Sequence, residues 1–414
     1  MTVDDEGPKA EALPALTTRT PRLRPLAELG GACLKLGLTS FGGPVAHLGY
    51  FRSEFVDRRR WLDERSYADI VALCQMLPGP ASSQVVFCIG MRRAGLPGAL
   101  LGSLCFTLPS AAAMILFAYG LSAAGSVHAE GWIHGLKIAA VAVVALAVWA
   151  MGTKLCPDLP RRLLALAVAA AVLLVPGTPC QLCAMVACGL IGSRMFSAPA
   201  AATDGDRSLG ARHAWAAAAL LAYGALLLAL PLAARLSGSR PLAVFDSFYR
   251  AGSLVFGGGH VVLPLLRAEL VPRGWIGDDA FLAGYGAAQA VPGPLFTFAG
   301  YLGTVIHGAP RAWEGGILAL LAIFLPAWLL AGGAYPFWHL LRGTQWAQGA
   351  LSGANAAVVG ILLAALYSPV CTEAIRGPWD GVAASAAAVL IARLKAPPWL
   401  VVALLAAAGQ WVLP

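Results

Sequence analysis

Charge is scarce in this chain: of 414 residues, only 12% are Asp, Glu, Lys or Arg. That is too little to coat a soluble protein of this length, which excludes an ordinary water-soluble globule. Histidine is rarer still, seven in all, and no H-E-x-x-H is present. A membrane-embedded enzyme acting on lipid-linked substrates needs a nucleophile or metal constellation, and none can be assembled. No catalytic residue and no cofactor are therefore implied. Residues 1–25 contain Asp4, Asp5, Glu6, Lys9, Arg19, Arg22 and Arg24 and lack an apolar core of signal-peptide length, so they read as a cytoplasmic tail. The net charge of +8 sits in short turns between apolar runs. With no basic face and no RNA-binding motif, it argues against a nucleic-acid partner and for loop charges that set membrane orientation. Nine cysteines do not make a disulfide framework here, because Cys33, Cys74, Cys88, Cys105 and Cys188 lie inside apolar runs, where a thiol packs as a small hydrophobe. Cys180 and Cys183 have metal-like spacing but no His or acidic residue nearby to complete a zinc site, so no metal is expected.

What the chain has in abundance is apolar length. It is 58% hydrophobic, with a mean hydropathy of +0.72, and belongs in a bilayer. With a spanning helix taken as roughly 20 apolar residues, segments fall near 28–50, 66–90, 97–121, 131–153, 162–176, 180–196 and 213–235. The second part of the chain adds 245–265, 279–306, 313–335, 348–368, 380–394 and 397–413. The fold class is an all-α membrane protein of about 10–13 transmembrane or re-entrant helices. Trp313, Trp328, Trp338, Trp346, Trp379, Trp399 and Trp411 sit mostly near segment ends, as an interfacial belt would.

One series of residues occurs twice, about 215 positions apart. Phe41-Gly42-Gly43 returns as Phe256-Gly257-Gly258, Arg52 and Glu54 as Arg267 and Glu269. Trp61 then returns as Trp275, Gln75 as Gln289, and Pro78-Gly79-Pro80 as Pro292-Gly293-Pro294. The chain therefore divides into a tail (1–25), a first repeat (26–196), a connector with one extra helix (197–242) and a second repeat (243–414). An odd number of crossings separates the two starts, so the second half should be inverted relative to the first, as in many secondary transporters. With the N-terminus inside, the C-terminus after Trp411 should face the periplasm, and the polar run 203–212 the cytoplasm. Loop 51–65, rich in arginine, violates the positive-inside rule if the first two segments cross fully. Each carries a helix breaker at its middle, so two re-entrant hairpins are the favoured reading and full crossing is the alternative.

Broken helices expose backbone N–H and C=O groups that hydrocarbon cannot satisfy, so the breakers must line a cavity or a packed interior. A new helix N-terminus is also a ready anion site. The candidate substrate-binding set is Phe41, Gly42, Gly43, His47, Gln75, Pro78, Gly79, Pro80, Ser82, Ser83 and Gln84 in the first copy. In the second it is Gly257, Gly258, Gly259, His260, Gln289, Pro292, Gly293, Pro294 and Thr297. Four such ends meeting near the repeat axis would form an oxyanion cage. Arg52, Glu54, Arg92, Arg93, Arg267 and Glu269 are candidates for gating or coupling. The competing readings are a local Arg–Glu ion pair closing a turn, and plain positive-inside charge for Arg92 and Arg93. His47 and His260 are read as functional or as interhelical hydrogen bonds.

The K-L-G-L-T-S-F-G-G-P-V-A-H and Q-M-L-P-G-P-A-S-S-Q stretches, with their second copies F-G-G-G-H-V-V-L-P-L-L and A-Q-A-V-P-G-P, resemble the chromate ion transporter family in its two-domain, long-chain type. The resemblance implies export of the chromate dianion across the bacterial inner membrane, giving resistance. Its partners would be chromate, with sulfate as the alternative anion, the lipid bilayer and, as an option, a second copy in a homodimer. Ser82 and Gln84 become Phe296 and Phe298 in the second copy, so the halves should contribute unequally, the first holding more of the anion contacts.

Overall fold

The computed structural model describes residues 23–124, 126–196, 213–256, 259–308, 310–337 and 344–411. Most of the tail, the run 203–212, Gly257, Gly258 and the end beyond Trp411 lie outside the described residues, which are all helical or connecting. In the first half the helices are α1 (Leu23–Thr39), α2 (Gly43–Arg52), α3 (Glu64–Met76), α4 (Ala81–Ala124), α5 (Ser126–Leu155), α6 (Leu159–Leu174) and α7 (Thr178–Met195). A π-helical turn, Ser53–Arg58, carries α2 into the loop after it. α8 (His213–Ser237) connects the halves. The second half has α9 (Arg240–Leu254), α10 (Val262–Leu270), α11 (Asp278–Ala290), α12 (Phe298–His307), α13 (Ala312–Ala334), α14 (Gln345–Ala365), α15 (Pro378–Ala392) and α16 (Pro398–Trp411).

Local chemistry starts and stops these helices where the breakers stand. Pro44 opens α2 behind Gly42, whose φ of 92° only glycine adopts freely. Asp63 caps α3 by accepting from the Ser66 amide, and Asp158 caps α6 from the Arg161 amide. The four long segments read from hydropathy at 28–50, 66–90, 245–265 and 279–306 are each two helices. Apolar periodicity runs unbroken through Gly and Pro, whereas the backbone does not.

At every breaker the chain turns back. Cys74 on α3 and Cys88 on α4 have sulfurs 4.0 Å apart, whereas fourteen residues of continuous helix would separate them by about 21 Å. In the second half the Tyr301 hydroxyl on α12 donates to the Ala280 carbonyl on α11 at 2.8 Å. The other two hairpins close the same way, through Lys35 of α1 to Glu54 after α2 at 2.9 Å, and Arg250 of α9 to Glu269 of α10 at 3.0 Å. Full crossing by the first two segments is therefore replaced by hairpins. α4 is itself bent at Ala94 and Gly95, which leave helical geometry, and Gly90 then packs on the Gly98 carbonyl as Gly303 does on that of Gly315.

The halves interlock. α5 lies against α16, with Gly131 on Gly409, and α14 lies against α7, with Gly349 on Gly192. Small residues let these backbones approach closely, as membrane helix interfaces require. Among the described residues, five helices are long and apolar enough to cross a membrane: the one spanning Ala81–Ala123, which contains the bend, and Gly131–Leu155, Ala214–Ser237, Ala312–Phe337 and Gln345–Ala374. α6, α7, α15 and α16 occur as matched short pairs, so counting them or not leaves an odd number of crossings between the halves.

Candidate functional site at the hairpin tips

The Gly79 amide donates to the Val255 carbonyl at 2.7 Å, and the Gly293 amide donates to the Ser40 carbonyl at 2.9 Å. Val255 stands where Ser40 stands and Gly293 where Gly79 stands, so the bonds are one contact made twice with the halves exchanged. A two-fold relation between repeats produces this pattern. The P-G-P tip of each half is thereby joined to the base of the F-G-G break of the other. Gly79 and Gly293 have φ of 115° and 101°, a region costly for side chains. They are also hemmed in: a Cβ on Gly79 would come within 3.3 Å of Ala327 Cβ, and one on Gly293 within 2.8 Å of Ser110 Oγ. The third and fourth tips meet within one half, where Gly259 faces Leu295.

Several buried polar atoms without a partner belong to the elements that carry the first-half breaks: Ser40 Oγ and His47 Nδ1 beside the F-G-G break, Ser83 Oγ and Gln84 Oε1 beside the P-G-P break, and Thr107 Oγ1 farther along α4. His47 is 1% exposed, with Nε2 3.1 Å from the Ser40 carbonyl and its ring edge-on to Phe106. Ser82, next in the chain to Ser83, is buried as well. Burying hydroxyls and an amide without partners is costly, so a region holding several of them suits a polar occupant. The Gln84 amide is divided, since Nε2 donates to the Pro78 carbonyl at 2.7 Å; half of it holds the break together and only Oε1 is free, an acceptor that cannot by itself bind an anion.

The second-half tips differ. His260 Nδ1 lies 2.8 Å from the Tyr285 hydroxyl, and Gln289 Nε2 is buried without a partner. Thr297 donates its hydroxyl to the Pro294 carbonyl at 2.8 Å, leaving it no proton for an anion. Phe296 and Phe298 are fully packed. Pro80 and Pro294 are buried, and Phe41, Gly43, Pro78 and Pro292 half-buried; Gly42 is exposed. Gln75 is also exposed, although its repeat partner Gln289 is half-buried, so the structure does not bring Gln75 into the cluster.

Glu54 does not pair with its neighbour Arg52. It receives Arg59 Nε at 2.7 Å, Lys35 Nζ at 2.9 Å and Arg58 Nη1 at 3.1 Å. Burial alone raises its pKa, but hydrogen bonds from Arg59, Lys35 and Arg58 outweigh that and hold it down to about 2. Arg52 instead reaches Glu64 at 2.8 Å, and the second half repeats both arrangements. Glu269 is held by Arg250 at 3.0 Å and Arg273 at 2.9 Å, and Arg267 by Asp278 at 2.6 Å. These clusters close the bases of the hairpins, at the far end from the tips. Lys35 with Arg250, and Arg58 with Arg273, are basic in both copies, and that recurrence was the available signal for partners sequence reading missed. Arg93 pairs with Glu28 at 3.2 Å and lies 4.3 Å over the Trp61 ring; Arg92 is exposed. Also missed were His134 and Lys137, ionisable residues deep in α5 whose signal was their isolation in an apolar run.

The family model described as "Chromate transporter" matches residues 27–193 and, a second time, 242–410. A chromate transport protein of Pseudomonas aeruginosa is 29% identical over 424 residues, covering 98% of this chain and 97% of that protein. A probable chromate transport protein of Synechococcus elongatus is 27% identical over 74% of each chain. An uncharacterized transporter of Methanocaldococcus jannaschii is 25% identical over 80% of this chain and 81% of its own. No solved structure matches.

Proposed function

Because this chain belongs to the chromate transporter family, we propose that it carries the chromate dianion out across the bacterial cytoplasmic membrane, conferring resistance, with its N-terminus in the cytoplasm. The observation that carries the reading is the reciprocal bonding of Gly79 to Val255 and Gly293 to Ser40, which holds broken-helix ends together beside buried, unpartnered polar atoms. A tetrahedral dianion needs several converging donors in place of its hydration shell. Free amides at the start of α2 and of α4, with the hydroxyls of Ser82, Ser83 and Ser40, are donors of that kind, while His47, whose Nε2 proton is held by the Ser40 carbonyl, positions that turn. The first half supplies most of the contacts, since Phe296 and Phe298 offer none.

The membrane potential suffices as the driving force, so proton coupling is an alternative that thermodynamics does not require. At 100 mV, negative inside, each charge is worth about 2.3 kcal/mol, so a dianion gains about 4.6 kcal/mol on leaving. Glu54, held ionised by three cations, is a structural anchor in this reading, as is Glu269. The test is flux in vesicles containing the purified protein. Under an imposed potential, chromate movement should exceed that of protein-free vesicles at least tenfold and reverse with the potential. Sulfate movement with no chromate movement would replace chromate by sulfate as the substrate, and movement of neither would end the oxyanion reading.

A further inference from the structure

Two halves built from one repeat should make equivalent contacts, yet one pair of equivalent interfaces is unlike. α5 and α14 correspond, Gly131 and Gly135 standing where Gly349 and Gly353 do; α3 and α11 correspond through Gln75 and Gln289. α11 is pressed onto α5. Gly286 meets the Leu136 carbonyl, and Lys137, with a side chain only 2% exposed, places Nζ 2.5 Å from Asp279 Oδ1. One turn earlier, His134 Nε2 lies 3.0 Å from Asp380 Oδ1. α3 and α14 instead border a cavity of about 410 Å³, lined by Leu73, Met76 and Leu77 at the end of α3 and by Ala347, Ala350 and Leu351 of α14, with α7 as a further wall. It reaches Phe256, at the F-G-G break of the second half.

We infer that α5 with α11, and α14 with α3, are the two gates of an alternating-access transporter: the first is shut here by Lys137–Asp279, and the second is open and closes by joining Arg65 to Asn355. Asn355 occupies the repeat position of Lys137, and Arg65 that of Asp279. Donor and acceptor are exchanged, so the pair stays complementary. Asn355 Oδ1 is buried without a partner and Arg65 is exposed, as an unmade contact would leave them. The apolar lining suits two surfaces that meet when the gate closes, not a path for a dianion. Gln75 is exposed for the same reason: its counterpart Gln289 lies on the hairpin that has closed. By the crossing parity, the shut gate faces the periplasm and the open one the cytoplasm, the state that receives an anion for export.

The inference rests on reading the chain as a two-repeat transporter, not on the identity of its anion, and its test needs no anion. In full-length protein whose native cysteines are replaced, Ala350→Cys reports the open gate through its labelling rate with a membrane-impermeant maleimide from the cytoplasmic face. Lys137→Ala, which unlocks the shut gate, should lower that rate at least threefold, and Lys137→Arg should restore it. Should Lys137→Ala fail to reach the membrane, Asp279→Asn removes the same pair from a side chain that is 69% exposed. Separately, Arg65→Cys with Asn355→Cys should cross-link several-fold more in the Asp279→Asn background than in its parent. Labelling unchanged by loss of the pair, or no cross-link in either background, overturns the inference.

Discussion

At the scale of single residues, the tips depend on two glycines that nothing else can replace. An alanine at Gly79 or Gly293 takes a left-handed backbone that costs roughly 1–2 kcal/mol and presses on Ala327 or Ser110. Leucine cannot be accommodated at all. Gly79→Leu and Gly293→Leu should each abolish chromate flux while the protein still inserts, measured by vesicle flux beside membrane-fraction yield; normal flux in both would remove the tips from the transport path. Gln84 is a subtler case, because its amide both closes the break at Pro78 and offers a free Oε1. Losing a hydrogen bond to a buried group costs about 1–3 kcal/mol. Gln84→Leu should therefore lower the melting temperature and, by loosening the break, weaken chromate binding about tenfold. Phe298→Leu, which only trims a packed ring, should lower stability and leave affinity within several-fold.

At the scale of elements, the hairpins are closed at their bases by buried carboxylates. Removing one partner of a buried ion pair costs several kcal/mol, but Lys35 and Arg58 keep about half or more of their side-chain surface in solvent. Glu54→Gln should cost about 2 kcal/mol, read as a lower midpoint in thermal unfolding. Its folded pKa lies below the ordinary carboxylate value, so the contribution is whole above about pH 4.5. It is lost as pH falls toward 2. The breakers themselves were legible in the sequence because they recur as matched sets, and Gly and Pro act through the backbone wherever they stand. The direction of the chain after each break was not legible from hydropathy, since a helix that turns back and one that continues have the same apolar pattern. Only the arginines of loop 51–65 pointed to hairpins. Glu54's partners were misjudged for a related reason: adjacency in sequence suggested Arg52, while the hairpin brings Lys35 from nineteen positions away.

At the scale of the molecule, duplication, an odd crossing number and the exchanged tip bonds describe one arrangement. Lys137 to Asp279 and His134 to Asp380 put the first half of α5, the start of α11 and the start of α15 at one level. Gly192 on Gly349 puts the end of α7 and the start of α14 together. Both agree with halves of opposite orientation. Such contacts, 142 and 246 residues apart in the chain, leave no trace in a single sequence. The inverted repeat is the central claim, and equivalent loops on opposite membrane faces are its most direct consequence. Asp57 and Pro272 are equivalent, exposed positions after α2 and after α10. In protein whose native cysteines are replaced, Asp57→Cys should react with an impermeant maleimide only in inside-out vesicles, and Pro272→Cys only in right-side-out vesicles. Reaction of both from the same face would contradict the account.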